Sequence, residues 1–203
     1  IADDELTNII RRVACFGLEL LKLDIRQEST RHTEVLSAIT EYLQLDNYGQ
    51  KDENQRQQFL LAELANPRPL LPRQYQTSPD AAIYSAEMQE TLATFNTIAQ
   101  QPSSAMGAYV ISMAKQPSDV LAVMLLQKEA GVLHPMRVVP LFETLTDLDN
   151  APACLDALLS VEWYKTAING HQEIMIGYSD SAKDAGFLTA NWAQYRAQEG
   201  LTA

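Results

Sequence analysis

Four short apolar runs, at residues 18–25, 107–113, 136–142 and 173–179, are each followed by a segment of helical period. This repeated order of strand then helix constrains the chain more than any other pattern in it, because strands joined by helical crossovers run parallel. The expected fold is therefore α/β, with about four parallel strands and helices between them. At 203 residues and 46% hydrophobic content the chain is long enough for one sizeable core. The stretch between the first two runs is longer than a crossover needs. Polar and helical in pattern, and broken by Asn66-Pro67-Arg68-Pro69-Leu70-Leu71-Pro72, it reads as a helical insertion over about 45–104, with its glutamine-rich residues 55–58 on a solvated helix face.

Within the first run Leu21, Leu23 and Ile25 alternate with Lys22, Asp24 and Arg26, so the charged set shares one face and Asp24 is placed to brace Arg26. In the third run Glu143 shares a face with Leu141 and Val139, and in the fourth Asp180 shares one with Tyr178 and Ile176. Both carboxylates are then the last residues on their faces. Pro117 and Ser118 signal a helix start and Gly131 its stop, around Val120, Leu121, Val123, Met124 and Leu125. Asn150 and Pro152 are expected to open a further helix carrying Leu155, Leu158 and Leu159.

The chemistry is concentrated in residues 174–186, IMIGYSDSAKDAG, where an apolar run gives way to Ser179, Asp180, Ser181, Lys183 and Asp184. Parallel-sheet enzymes present catalytic groups at the carboxyl ends of their strands. Arg26, Glu143, Asp180 and Lys183 all fall at or just beyond such an end. Two carboxylates converging on one point repel unless a cation lies between them, and a hard oxygen site with few protein ligands suits Mg²⁺. Arg26 offers the forked donor that a phosphate or carboxylate prefers. Blander readings stay open at this level. The chain has 26 acidic residues, Arg26 can pair with Asp24 or Glu28, and Lys183 can be a surface residue one turn after Asp180. His32, His134 and His171 stand in polar or turn contexts without ligand spacing and read as surface or capping residues.

A formal charge of −11 with no basic stripe argues against a nucleic-acid partner. No apolar run is long enough to span a bilayer, and no secretory signal opens the sequence, so no membrane partner is expected. Cys15 and Cys154, far apart and each in an apolar helical pattern, make neither a disulfide framework nor a zinc spacing and point to a reducing, cytoplasmic setting. Starting at Ile1 without an initiator Met and stopping just after a helical pattern, the sequence is expected to be a piece of a longer protein.

The run IMIGYSDSAKDAG resembles, residue for residue, the lysine-containing signature of phosphoenolpyruvate carboxylase. LDIRQESTRHTEVL (residues 23–36), AYVISMAKQPSDVLAV (108–123) and VVPLFETLTDL (138–148) resemble other segments of that family in the same order. The resemblance implies a helix-rich (β/α)8 TIM-type barrel of which this chain is the central part, with about four of the strands. It implies an enzyme that joins bicarbonate to phosphoenolpyruvate, giving oxaloacetate and phosphate through carboxyphosphate and a metal-stabilised enolate, with Mg²⁺ or Mn²⁺. Carried over by motif, Glu143 of PLFET and Asp180 of GYSDS match the metal-binding carboxylates. Arg26 of DIRQES matches an arginine facing the substrate, and Lys183 matches the active-site lysine, whose implied job is to orient bicarbonate or the phosphate.

The family's histidine motif, expected upstream, and its glycine-rich arginine loop, expected soon after Ala203, are absent from these 203 residues, so the segment alone is expected to be inactive. The resemblance further implies a cytoplasmic homotetramer, and Ala182, where plant relatives usually carry Gly, leans toward a bacterial source. Two other readings are another phosphoenolpyruvate-using barrel enzyme and a non-catalytic domain that kept the scaffold.

Overall fold

The computed structural model describes residues 2–17, 20–70 and 84–202. Parts of two expected features, Leu18 in the first strand run and Leu71 and Pro72 in the proline-rich break, lie outside the described residues. The chain opens with helix α1 (Ala2–Phe16), followed by strand β1 (Leu23–Glu28) and α2 (Ser29–Tyr42). A 3-10 turn at Tyr48–Gln50 then leads to α3 (Glu53–Ala65) and α4 (Ala86–Gln100), the helices expected in the insertion. After them come β2 (Met106–Ser112), α5 (Pro117–Glu129), β3 (Arg137–Phe142), α6 (Leu145–Leu159), α7 (Glu162–Ala167), β4 (Met175–Ile176), α8 (Ser179–Ala185) and α9 (Phe187–Thr202).

The strands form one parallel sheet in the order β1-β2-β3-β4, as the alternation of strand and helix requires. Tyr109 and Ile111 of β2 and Val138 of β3 turn one face of it toward α2, α4 and α5. There they pack with Val35, Leu36, Ile39, Phe95, Val120 and Leu121 in the main core. Each such aliphatic side chain withdrawn from water contributes about 1.5–3 kcal/mol. Phe142 extends this face to a second cluster with Leu148 of α6 and Ala193 and Ala197 of α9. On the opposite face Ala108, Val110, Val139 and Leu141 form a separate small cluster with Met175.

Helix α5 begins at Pro117 and is followed by Gly131 at φ +77°, as its start and stop signals predict. Other boundaries differ from expectation. β1 lies later than predicted and runs on to Glu28, so Arg26 is inside the strand rather than beyond it. Helix α6 starts at Leu145, not near Asn150, because Thr144 caps it: its side chain accepts from the Asp147 N–H while Asp147 reaches back to the Thr144 N–H. Pro152 therefore stands inside the helix. The signal for this start, Thr-x-x-Asp, was present in the sequence. β4 is two residues long, and the chain is already helical at Ser179.

His32 is not a surface residue. It is 1% exposed, lies against the rings of Phe95 and Tyr109, and shares a 2.8 Å hydrogen bond between Nε2 and the Tyr109 hydroxyl. Burial lowers its pKa to about 3, so the imidazole is neutral. His134 and His171 are exposed, as expected. Both cysteines are free. Cys15 is exposed on α1, whereas Cys154 is buried on α6 with its thiol pushed up to about 12, chiefly by burial. Among the described residues no helix is long and apolar enough to cross a membrane.

Candidate active site

Register decides which side chains share a face, since residues directly paired in a parallel sheet point the same way. Arg26 pairs with Val110, and Val110 with Val139, which puts Arg26 on the face away from the helices. Two steps of the strand repeat beyond Val139, past Leu141, the same face reaches Glu143 just after β3 ends. A register shift between Leu23 and Ile25 bends the start of β1, and Asp24 serves that irregularity: its Oδ1 accepts from the Ala108 N–H at 2.8 Å. Asp24 therefore does not brace Arg26. Among the described residues Arg26 forms no ion pair with Asp24, Glu28 or any other carboxylate, and its side chain is exposed.

Glu143 is held from two sides. Its Oε2 accepts from the Met113 N–H at 3.0 Å. On its other side Gly177 comes so near that a β-carbon there would meet Glu143 Cγ at 3.0 Å. Met113, just past the end of β2, has φ +54°, a left-handed conformation that costs a residue with a Cβ roughly 1–2 kcal/mol. Its carbonyl accepts from the Ser29 hydroxyl at 2.9 Å, and Ser29 is the first residue of α2, directly after β1. Sequence reasoning missed Met113 and Ser29, because a backbone conformation leaves no mark in a residue type that does not favour it.

Asp180 is in the first turn of α8 and not the last residue of a strand face. The chain leaves the sheet after the Gly177 N–H bonds the Phe142 carbonyl at 2.9 Å. Its Oδ1 accepts from Lys183 Nζ at 2.9 Å, an exposed pair three residues apart. The helix carrying both is anchored on each side. Buried Ser181 donates to the Gly177 carbonyl at 2.8 Å and accepts from Gln194 of α9, also at 2.8 Å. Asp184 accepts from the Leu145 N–H at 3.0 Å, tying α8 to the start of α6. Asp184 also went unassigned in the sequence, although it lies within the same short motif.

Glu143 follows β3, Asp180 follows β4, and these strands are neighbours. Each carboxylate spends one oxygen on a bond within the chain, and among the described residues no donor bonds the other. Among the described residues no group of three or more His, Cys, Asp or Glu gathers as a metal site. The two candidate ligands carried over by motif, Glu143 and Asp180, offer hard carboxylate oxygens and no soft or nitrogen atom. That chemistry fits a divalent ion such as Mg²⁺, which keeps several waters and takes few carboxylates.

A sequence model of phosphoenolpyruvate carboxylase matches residues 1–203. The chain is 60% identical over all its residues to the phosphoenolpyruvate carboxylase of Acinetobacter baumannii, covering 23% of that protein. It is 61% identical over its full length to that of Alcanivorax borkumensis and 60% identical over 201 residues to that of Pseudomonas aeruginosa, covering 22% of each. The chain thus spans about a quarter of the length of the curated relatives it matches, and with its full length matched it belongs to the phosphoenolpyruvate carboxylase family.

Proposed function

We propose that the intact protein of which this chain is a segment carboxylates phosphoenolpyruvate with bicarbonate, giving oxaloacetate and inorganic phosphate. The observation that carries this reading is the free guanidinium of Arg26 on the same sheet face that leads to Glu143, with Asp180 and Lys183 after the adjacent strand. That is a cation set and a carboxylate pair suited to an anionic, metal-bound substrate. A bicarbonate oxygen forms a bond to phosphorus as the bond from phosphorus to the enol oxygen breaks. The resulting carboxyphosphate releases CO₂ and phosphate, and the enolate carbon bonds to CO₂. Arg26 offsets charge on the phosphoryl group during transfer, where positioning and electrostatics dominate. Lys183 orients bicarbonate or the phosphate. Glu143 and Asp180 hold Mg²⁺ or Mn²⁺, which when bound supplies electrostatic stabilisation of the enolate oxygen.

The four strands are, in this reading, half of a (β/α)8 barrel, and residues 1–203 are the central part of one barrel domain with a helical insertion over about 45–104. Strand order follows chain order without reversal, and the helix-packed core lies on one sheet face, as in an arc of such a barrel. We place the intact enzyme in the cytoplasm, where the free thiols of Cys15 and Cys154 suit a reducing setting. By the family resemblance it is a homotetramer. Neither the family's histidine motif nor its arginine loop occurs among these 203 residues, so the segment alone is expected to turn over no substrate. The test is an assay of the intact enzyme for equal, bicarbonate-dependent release of oxaloacetate and phosphate. Phosphoryl transfer to a nucleotide, or phosphate release independent of bicarbonate, would overturn the reading.

A further inference from the structure

We propose that the Met113 peptide, clamped by Ser29, is a positioning device that fixes the rotation of the Glu143 carboxylate and so sets which of its oxygens is offered to the metal. This rests on Glu143 being a metal ligand. The Met113 N–H holds Oε2 at 3.0 Å, which leaves Oε1 as the free donor. A carboxylate anchored by one oxygen cannot swing, and on its other flank Gly177 closes the space beside Cγ. Met113 makes the Glu143 bond through its N–H and the Ser29 bond through its carbonyl while at φ +54°, a left-handed conformation uncommon for a methionine. What holds it is the other end of the same residue, where the carbonyl takes the Ser29 hydroxyl at 2.9 Å in a site where Ser29 is 8% exposed.

The device links three strand ends. Ser29 immediately follows β1, the strand of Arg26; Met113 follows β2; and Glu143 follows β3. The strand of the arginine and the carboxylate are thereby braced through the backbone of one residue, Met113. Hydrogen-bond partners of metal ligands typically change affinity by about 10–100-fold when removed. Ser29 acts one bond further out, so the lower end of that range applies.

The experiment uses the intact enzyme and Mn²⁺ binding read from the electron paramagnetic resonance signal of the free ion, which needs no turnover. Ser29→Ala should weaken Mn²⁺ binding by about tenfold while leaving far-UV circular dichroism unchanged, and Ser29→Thr, which restores the hydroxyl, should recover it. Met113→Gly, which adopts positive φ freely and keeps the peptide, should bind within about twofold of the parent. Should Ser29→Ala not fold, Met113→Val decides instead, since a β-branched residue opposes the left-handed conformation without touching the hydroxyl. Mn²⁺ binding unchanged in that variant, or in a folded Ser29→Ala, while Glu143→Gln abolishes it, overturns the positioning role alone. Binding unchanged in Glu143→Gln removes Glu143 from the metal site, and the proposed relay with it.

Discussion

Gly177 and Glu143 are in direct van der Waals apposition across β3 and β4: a β-carbon at position 177 would lie 3.0 Å from Glu143 Cγ and 3.3 Å from its Cα. Two of the three nearest neighbours are side-chain atoms close to the backbone and the third is backbone, so the clash cannot be relieved by moving a flexible tip. Gly177→Ala should cost roughly 1–3 kcal/mol of stability, the usual range for forced overpacking, and displace the Glu143 carboxylate. Urea unfolding of the parent and variant measures the first effect, and a metal titration of the intact enzyme the second. An unchanged midpoint would mean that the two strands separate freely at this point.

Arg26 gives a sharper test of the proposed chemistry, because it has no structural partner among the described residues to confuse the outcome. Arg26→Ala in the intact enzyme should lower kcat by about 100-fold or more, on the order of 3 kcal/mol of barrier, by analogy with loss of an oxyanion donor. Its unfolding midpoint should stay nearly constant. Near-normal turnover would remove the arginine from the phosphoryl site.

These two residues also mark how far the sequence could be read. Alternation with Ile25 placed Arg26 on its face of the sheet, and alternation from Val139 and Leu141 placed Glu143 in the same way. Asp180 was found for its residue type and motif but given the wrong local structure. Strand period was extended through Tyr178, whereas the Ser181 hydroxyl takes up the Gly177 and Tyr178 carbonyls and the chain is already in a helical turn. His32 was misjudged because its neighbours Arg31 and Thr33 are polar, while its actual partners, Phe95 and Tyr109, lie more than sixty residues away in the chain. Long-range contacts of this kind have no local signature.

The helices between β1 and β2 are more than decoration. Glu53, at the start of α3, accepts from the Ser118 N–H at 3.0 Å and from the Ser118 hydroxyl at 2.6 Å, and so supplies the carboxylate at the amino end of α5. Gln57 donates to the same side chain at 2.8 Å. Glu53→Ala should therefore destabilise the fold by about 1–2 kcal/mol, the loss expected for a helix cap and a part-buried hydrogen bond. Ser118→Ala should cost less, because it keeps the peptide N–H. A double-mutant cycle in urea measures their coupling, and strictly additive losses would show that the two residues act independently.

Buried His32 makes stability depend on acidity in a predictable direction. Its pKa falls from 6.5 in the unfolded chain to about 3 in the fold, so between those values the unfolded state binds the extra proton. Its contribution is fully present above pH 6.5 and is lost as pH falls toward 3, at up to about 1.4 kcal/mol per unit. By pH 5 the loss from this one residue is about 2 kcal/mol. Asp119, raised by burial, acts in the opposite sense, since the folded state takes up its proton first. The difference between parent and variant isolates the histidine. His32→Gln, which stays neutral and can still bond the Tyr109 hydroxyl, should be less stable at pH 7.5 yet lose about 2 kcal/mol less on going to pH 5. Urea midpoints for both proteins at pH 7.5, 6 and 5 make the measurement, and parallel pH profiles would show that the imidazole is protonated in the folded chain.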